Sequence, residues 1–433
     1  MPLQSSTRPS PGRHYWETWP SGGAGVVAWS LMSDERSVSR PLPRRMIAVL
    51  GLCGGLAPFA IDAYIPGLDQ ISREFGASAS VTQLSLTGFL ITMALGQLVI
   101  GPLSDQRGRR TLLVLGLVGS GVASLVAALA PSIVVLIVAR CFQGLCGAAG
   151  VVLSKAIIAD IGRGKGIAKA LSTIMAIQSI APVIAPAVGG VLIPWLSWRA
   201  VFVMLACVFA LAALGVWWAV PETLRVEDRH AGGLKKAFGN MGELLTNGAY
   251  MFPTLMYVGS FATMFAYISA SSFIMIRMNG FSTGEYAAMF TFNSLSLVVA
   301  SAVNPWIIDR IPPRRWVTMV GCTQVAAVAW LVVSVTLLGA SAWPLMAGFV
   351  VVVCCNGFLL PNLVALSLES SRGRTGAGSA LLGAAQFGLA AVVAPLTGIG
   401  DGTTALPMAL TMAVASCVVI VALVGVRRTH PAA

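Results

Sequence analysis

Asp62 and Arg140 are the two residues of this chain whose type and setting could do chemistry. Asp62 stands in an otherwise uncharged run of about 21 residues, Met46 to Pro66 (MIAVLGLCGGLAPFAIDAYIP), long enough to cross a bilayer as a helix. Of the 16 acidic residues it is the only one placed at hydrocarbon depth. An ionised carboxylate there costs roughly 2.5 to 3.5 kcal/mol or more. Such a group takes up a proton part of the time, pairs with a cation, or faces a water-filled cavity, and each of these belongs to a transport pathway. Arg140 sits in a second apolar run, where a guanidinium needs partners and where a nearby carboxylate would lose proton affinity. Asp62 lies about 4 residues and Arg140 about 8 from the ends of their spans, so a rise of about 1.5 Å per residue puts them within about a turn in depth. An ion pair with Asp62 is one reading of Arg140. Bonds to backbone carbonyls of neighbouring helices are the other, and residue types leave both open.

The elements that must position these groups are membrane helices. The chain is 56% hydrophobic and 10% charged, with a mean hydropathy of +0.82, which describes a protein whose solvent is mostly lipid. Windows of about 20 apolar residues recur twelve times, giving an all-α integral membrane protein. They fall into two near-equal six-helix halves, 46–220 and 250–426, which suggests a duplicated, pseudo-symmetric unit. A Ser-, Pro-, Gly- and Arg-rich tail, 1–45, reads as disordered; Met32 opens MSDERSVSR, itself a plausible start. A polar linker, 221–249, holds Arg225, Arg229, Lys235 and Lys236 between the halves, and 427–433 form a short tail. Placing both termini in the cytoplasm puts 23 of the 28 Lys and Arg residues on that side, with only Arg73, Arg199 and Arg277 outside and Arg140 and Lys155 in or beside the fourth span.

The same counts exclude other classes. The formal charge of +12 is explained by basic loops facing anionic lipid, without a nucleic-acid partner. All eight cysteines fall in apolar runs with no spacing for a disulfide or a zinc site, and His14, His230 and His430 lie outside the spans. A membrane-embedded enzyme would lack an acid/base pair, and a channel would lack a charged ring or a filter-like repeat. No metal or cofactor is expected.

Four local patterns sharpen this. Gly101-Pro102-Leu103-Ser104-Asp105-Gln106-Arg107-Gly108-Arg109-Arg110, between the second and third spans, resembles the loop motif of the major facilitator superfamily, with Gln106 where a basic residue is usual. Its glycines allow tight turning, and Asp105, Arg109 and Arg110 can form charge pairs at the cytoplasmic rim. A decayed copy, Asp309-Arg310 with Arg314-Arg315, stands at the equivalent place in the second half. Arg140-Cys141-Phe142-Gln143-Gly144 resembles the superfamily's Arg-x-x-Gln-Gly motif. Gln178 to Gly190 (QSIAPVIAPAVGG), with Pro182, Pro186, Gly189 and Gly190, resembles the fifth-span motif of drug/proton exchangers, Ala181 and Ala185 replacing its first two glycines. Ala60-Ile61-Asp62-Ala63-Tyr64-Ile65-Pro66, Gln83-Leu84-Ser85-Leu86, Phe265-Ala266-Tyr267-Ile268, Pro361-Asn362 and Gln386-Phe387-Gly388 are similar to the Bcr/CflA branch of drug exporters, from about Ala57 to about Gly388.

The resemblance implies the twelve-helix major facilitator fold in a bacterial inner membrane, working as a monomer by alternating access and driven by the proton gradient. It implies export of drug-like compounds in exchange for protons; a proton symporter importing a small metabolite is the alternative. Asp62 and Arg140 would then carry proton coupling, and Gly101, Asp105, Gly108, Arg109, Arg110 and Asp309 the cytoplasmic gate. Tyr64, Gln143, Tyr267, Asn293 and Gln386 are the candidates for the substrate cavity, interhelical hydrogen bonding being their bland role. The scattered Phe and Met residues read as lipid-facing or core.

Overall fold

The protein was analysed as a computed structural model that describes residues 43–161, 165–224, 233–371, 374–400 and 403–429. Most of the tail expected to be disordered, and Arg225 and Arg229 of the linker, lie outside these residues. Twelve helices among the described residues are long and apolar enough to cross a membrane. The first half comprises α1 (Arg44–Asp62), the short α2 (Leu68–Phe75), α3 (Ala79–Arg107), α4 (Arg109–Ala128), α5 (Ile133–Ile161), α6 (Lys165–Leu196) and α7 (Trp198–Ala219). A linker helix α8 (Gly233–Leu245) follows. The second half holds α9 (Gly248–Ser272), α10 (Thr283–Ile308), α11 (Pro313–Thr336), α12 (Ala342–Glu369), α13 (Thr375–Thr397) and α14 (Leu406–Thr429).

Local chemistry sets the ends. Gly108 has φ +95°, a region that side chains with a Cβ avoid, and this turn separates α3 from α4. Ser282 accepts from the Glu285 backbone N–H at 3.2 Å while the Glu285 carboxylate accepts from the Ser282 N–H at 2.8 Å, a reciprocal cap on α10. The first span departs from expectation. Its regular helix ends at Asp62, and a 3-10 turn over Ile65–Gly67, entered with Pro66, leads into α2. The seventh span ends similarly in a π-helical turn, Phe273–Met278. The linker also differs from a plain polar tether, because Met241 and Leu244 are buried and hold α8 against the bundle.

Three Arg–Trp pairs mark one end of the bundle: Arg45 over Trp218 at 5.2 Å, Arg110 over Trp217 at 4.8 Å and Arg310 over Trp306 at 3.7 Å. Aromatic rings beside cations suit a headgroup region. This end, which also carries the Gly101–Arg110 segment, helical on both sides of Gly108, and the linker, is the basic end below. Between the halves, α3 packs against α13 and α6 against α10.

Candidate functional site

Asp62, the last residue of α1, is 6% exposed and lines a cavity of about 210 Å³ between the two halves. Phe261, Phe265 and Tyr267 from α9, Phe290 from α10, Phe387 from α13 and Pro182 from α6 share that lining. The carboxylate makes no hydrogen bond or ion pair among the described residues. A lone acid in an aromatic chamber can bind a proton or face a ligand, with no protein cation competing for it.

Of its two readings, Arg140 does not form the ion pair with Asp62, and it does bond to a backbone carbonyl of a neighbouring helix. Its Nη1 donates to the Ala60 carbonyl oxygen at 3.2 Å and to Gln143 Oε1 at 2.5 Å. Its guanidinium lies 4.5 Å from the Tyr64 ring centroid, 4.3 Å from Phe89 and 5.7 Å from Phe202. Nε and Nη2 are buried without a hydrogen-bond partner, so the three rings carry that part of the charge. Arg140 and Asp62 stand at similar depth, since Nη1 reaches Ala60, two residues from Asp62, but they differ in direction. Each residue turns a helix by about 100°, so Asp62 and Tyr64 face roughly opposite ways, one to the cavity and one to the core of the first half.

Two cavity candidates face the core of the first half instead. Tyr64 is fully buried and shares a 3.0 Å hydrogen bond with Ser85, while Gln143 donates from Nε2 to Ser124 Oγ at 2.7 Å. Neither is among the cavity's lining residues. Tyr267 and Gln386 do line it, and Asn293 stands behind, its Nδ2 donating to the Tyr267 hydroxyl at 2.8 Å. The phenylalanines of this wall are an exception to the reading of Phe residues as mostly lipid-facing or core. Their sequence signals were Phe265 near Tyr267 and Phe387 next to Gln386, and the type of a phenylalanine does not say which way it points.

A larger vestibule of about 600 Å³ at the basic end adjoins the Asp62 chamber, and the two share Pro58, Gln178, Gln386 and Phe387 as walls. Gly101, Asp105, Arg109 and Lys155, with Asn240 and Met241 of α8, also line the vestibule. Asp105 meets Arg109 at 3.0 Å, and Arg109 is shared with Asp160 of α5. Arg110 forms no charge pair among the described residues and instead donates to the Trp217 carbonyl oxygen. Asp309 of the second-half copy is exposed and likewise without an ion pair among the described residues.

At the opposite end the halves are joined. Arg277, in the π-helical turn, donates from Nε to Asp69 Oδ1 at 2.6 Å and from Nη2 to Ser72 Oγ at 3.1 Å. Gln83 Nε2 donates to the Ser269 carbonyl oxygen at 2.8 Å and Ser80 Oγ to that of Pro395 at 3.0 Å. Sequence reading missed Asp69, yet a signal existed: each of the three arginines on the sparsely charged side has an acidic partner there, Arg73 and Arg277 on Asp69 and Arg199 on Glu74. In α6, which runs through Pro182 and Pro186, a Cβ on Gly189 would lie 2.0 Å from the Ala63 carbonyl oxygen. One on Gly190 would lie 2.2 Å from Ala287 Cβ. The Gly-Gly pair therefore lets one helix touch the first span and the second half together.

A sequence profile of the Major Facilitator Superfamily matches residues 50–395. The chain is 32% identical to the uncharacterized MFS-type transporter YdgK of Bacillus subtilis over 88% of its length and 94% of that protein. It is 30% identical to a bicyclomycin resistance protein homolog of Haemophilus influenzae, over 86% and 93% of the two chains. A chloramphenicol resistance protein of Pseudomonas aeruginosa is 29% identical over 59% of this chain and 60% of its own. Among solved structures, a bacterial homolog of the lysosomal transporter Spinster superposes with a TM-score of 0.71 at 18% identity, covering 90% of this chain and 97% of that one. The xylose transporter XylE of E. coli superposes with a TM-score of 0.67 at 14% identity, covering 89% and 97%. Twelve membrane helices in two halves, an acid-bearing chamber between them and these relatives lead to one statement: the chain belongs to the major facilitator superfamily and is a membrane transporter related to drug-resistance exporters, not an enzyme.

Proposed function

We infer that the protein exports drugs or other small amphipathic compounds in exchange for protons, with its basic end and both termini in the cytoplasm, as a monomer in a bacterial inner membrane. The observation that carries this reading is the Asp62 carboxyl, facing the inter-half chamber with no basic side chain paired to it among the described residues. The Lys and Arg distribution supports the orientation, and the relatives named for bicyclomycin and chloramphenicol resistance support the cargo. In this orientation the vestibule opens to the cytoplasm and the Asp69–Arg277 seam closes the outside. Asp62 releases its proton inward through the vestibule, and drug enters by the same route. When the seam parts, an outside proton neutralises Asp62 and drug leaves. Arg140 holds Tyr64 and the Ala60 carbonyl, so its part is to fix the rotation of the first span and aim Asp62 at the chamber.

Inverted membrane vesicles with an acidified lumen test the reading. Chloramphenicol should accumulate inside, the accumulation should collapse with a protonophore, and Asp62→Asn should lose it. Unchanged accumulation in Asp62→Asn, or uptake driven only by the opposite gradient as a symporter requires, overturns it.

A further inference from the structure

The vestibule contains a charge that this mechanism does not use. Lys155, on α5, lines it and is half-buried, and it has no ion pair or hydrogen bond among the described residues. Its position is informative. Asp160, five residues on and nearer the mouth, already holds Arg109 together with Asp105, so the acids at the rim are engaged with a guanidinium. Further in, the described polar walls beside Lys155 are neutral: Gln97, Gln178 and Gln386 amides and the Tyr257 hydroxyl. This ammonium lines the same vestibule as Pro58, Gln178, Gln386 and Phe387, the residues that also wall the Asp62 chamber.

Resting on the transport reading above, we propose that Lys155 sets the charge of the cargo: it turns organic cations away from the vestibule and admits uncharged amphiphiles whose carbonyl or hydroxyl oxygens accept its hydrogen bonds. The physics is a contest between two charges on one path. The Asp62 chamber, a carboxylate ringed by phenylalanines, would by itself favour a lipophilic cation through charge and cation–π attraction. A like charge in a narrow cavity of low effective dielectric raises the free energy of that cation before it arrives, whereas an uncharged molecule feels no such barrier. An ammonium also carries three donors and no acceptor, so it discriminates among neutral compounds in favour of those rich in oxygen acceptors. The specificity is negative, built from an unfavourable contact for the wrong cargo.

The test is equilibrium binding to the purified protein in lipid nanodiscs, without a gradient, so that its outcome is separate from that of proton-driven uptake. Tetraphenylphosphonium is the cationic probe and chloramphenicol the uncharged one. Lys155→Gln and Lys155→Met should each bind tetraphenylphosphonium roughly tenfold more tightly than the parent, and adding Asp62→Asn should remove the gain. Lys155→Arg should keep the parent's refusal. A tetraphenylphosphonium affinity within twofold of the parent in both neutral variants, or the same gain in Lys155→Arg, overturns the proposal. Loss of vesicle uptake with the binding pattern intact would instead refute the proton-coupled reading alone.

Discussion

Arg140 donates to the backbone of Ala60, two residues from Asp62, and yet the carboxylate and the guanidinium face away from each other. The pair divides its labour: one member is structural and the other chemical. Because the two share a depth without sharing a bond, their variants should fail in different ways.

Arg140→Ala removes two hydrogen bonds and three ring contacts from a fully buried site and leaves a void. A loss of at least about 3 kcal/mol is expected from the void and the lost ring contacts. It should appear as a lower unfolding midpoint in detergent micelles and a lower folded yield. Asp62→Asn should keep both near the parent values while losing proton-linked export, since the parent carboxylate has no partner among the described residues to lose. Equal destabilisation by the two changes would restore the ion pair.

The proton's sign can be read in drug binding. In an exchanger the carboxylate must be ionised to receive cargo, so binding releases a proton and weakens as pH falls, by up to about tenfold per unit below the pKa of Asp62. Asp62→Asn should flatten the profile. Binding that strengthens on acidification, measured in the same nanodiscs, would favour symport.

Asp69→Asn weakens the charged bridge that Arg277 makes across the halves. A hydrogen bond to a charged partner contributes roughly 1.5 to 3 kcal/mol, so the population open at that end should rise about 10- to 100-fold. A cysteine at Ser80, in an otherwise cysteine-free protein, would report this as faster labelling by an impermeant maleimide from outside intact cells. A rate equal to the parent's would show that the seam is held by its other contacts.

Gly189→Ala forces a methyl against the Ala63 carbonyl oxygen, where the Cβ would sit at 2.0 Å. Overpacking of this kind costs about 1 to 3 kcal/mol. Gly101→Ala is the control, because its nearest neighbour, Val152, lies 3.8 Å away. Thermal unfolding should separate the two glycines; similar midpoints would mean that α6 shifts freely.

The membrane helices and their division into halves were legible because a bilayer imposes length and apolarity on each span independently, so runs such as 46–66 announce themselves. Asp62 was legible for the same reason, as an exception to that rule. Its orientation was not: a helix apolar on every side carries no face pattern, and Asp62 and Tyr64 differ only by rotation. Phe265 in the chamber and Phe142 toward the lipid are the same letter in the same kind of run. The Asp69–Arg277 bridge joins residues 208 apart, beyond any local signal. The three arginines that break the charge bias are the trace of that end's ion pairs, and a charge count alone does not name their partners.

The linker helix has a consequence of its own. Asn240 and Met241 form part of the vestibule wall although they belong to neither bundle. A helix outside the twelve spans thus helps shape the doorway, and exchanging this stretch between related transporters changes the entrance while every bilayer-crossing segment stays as it was.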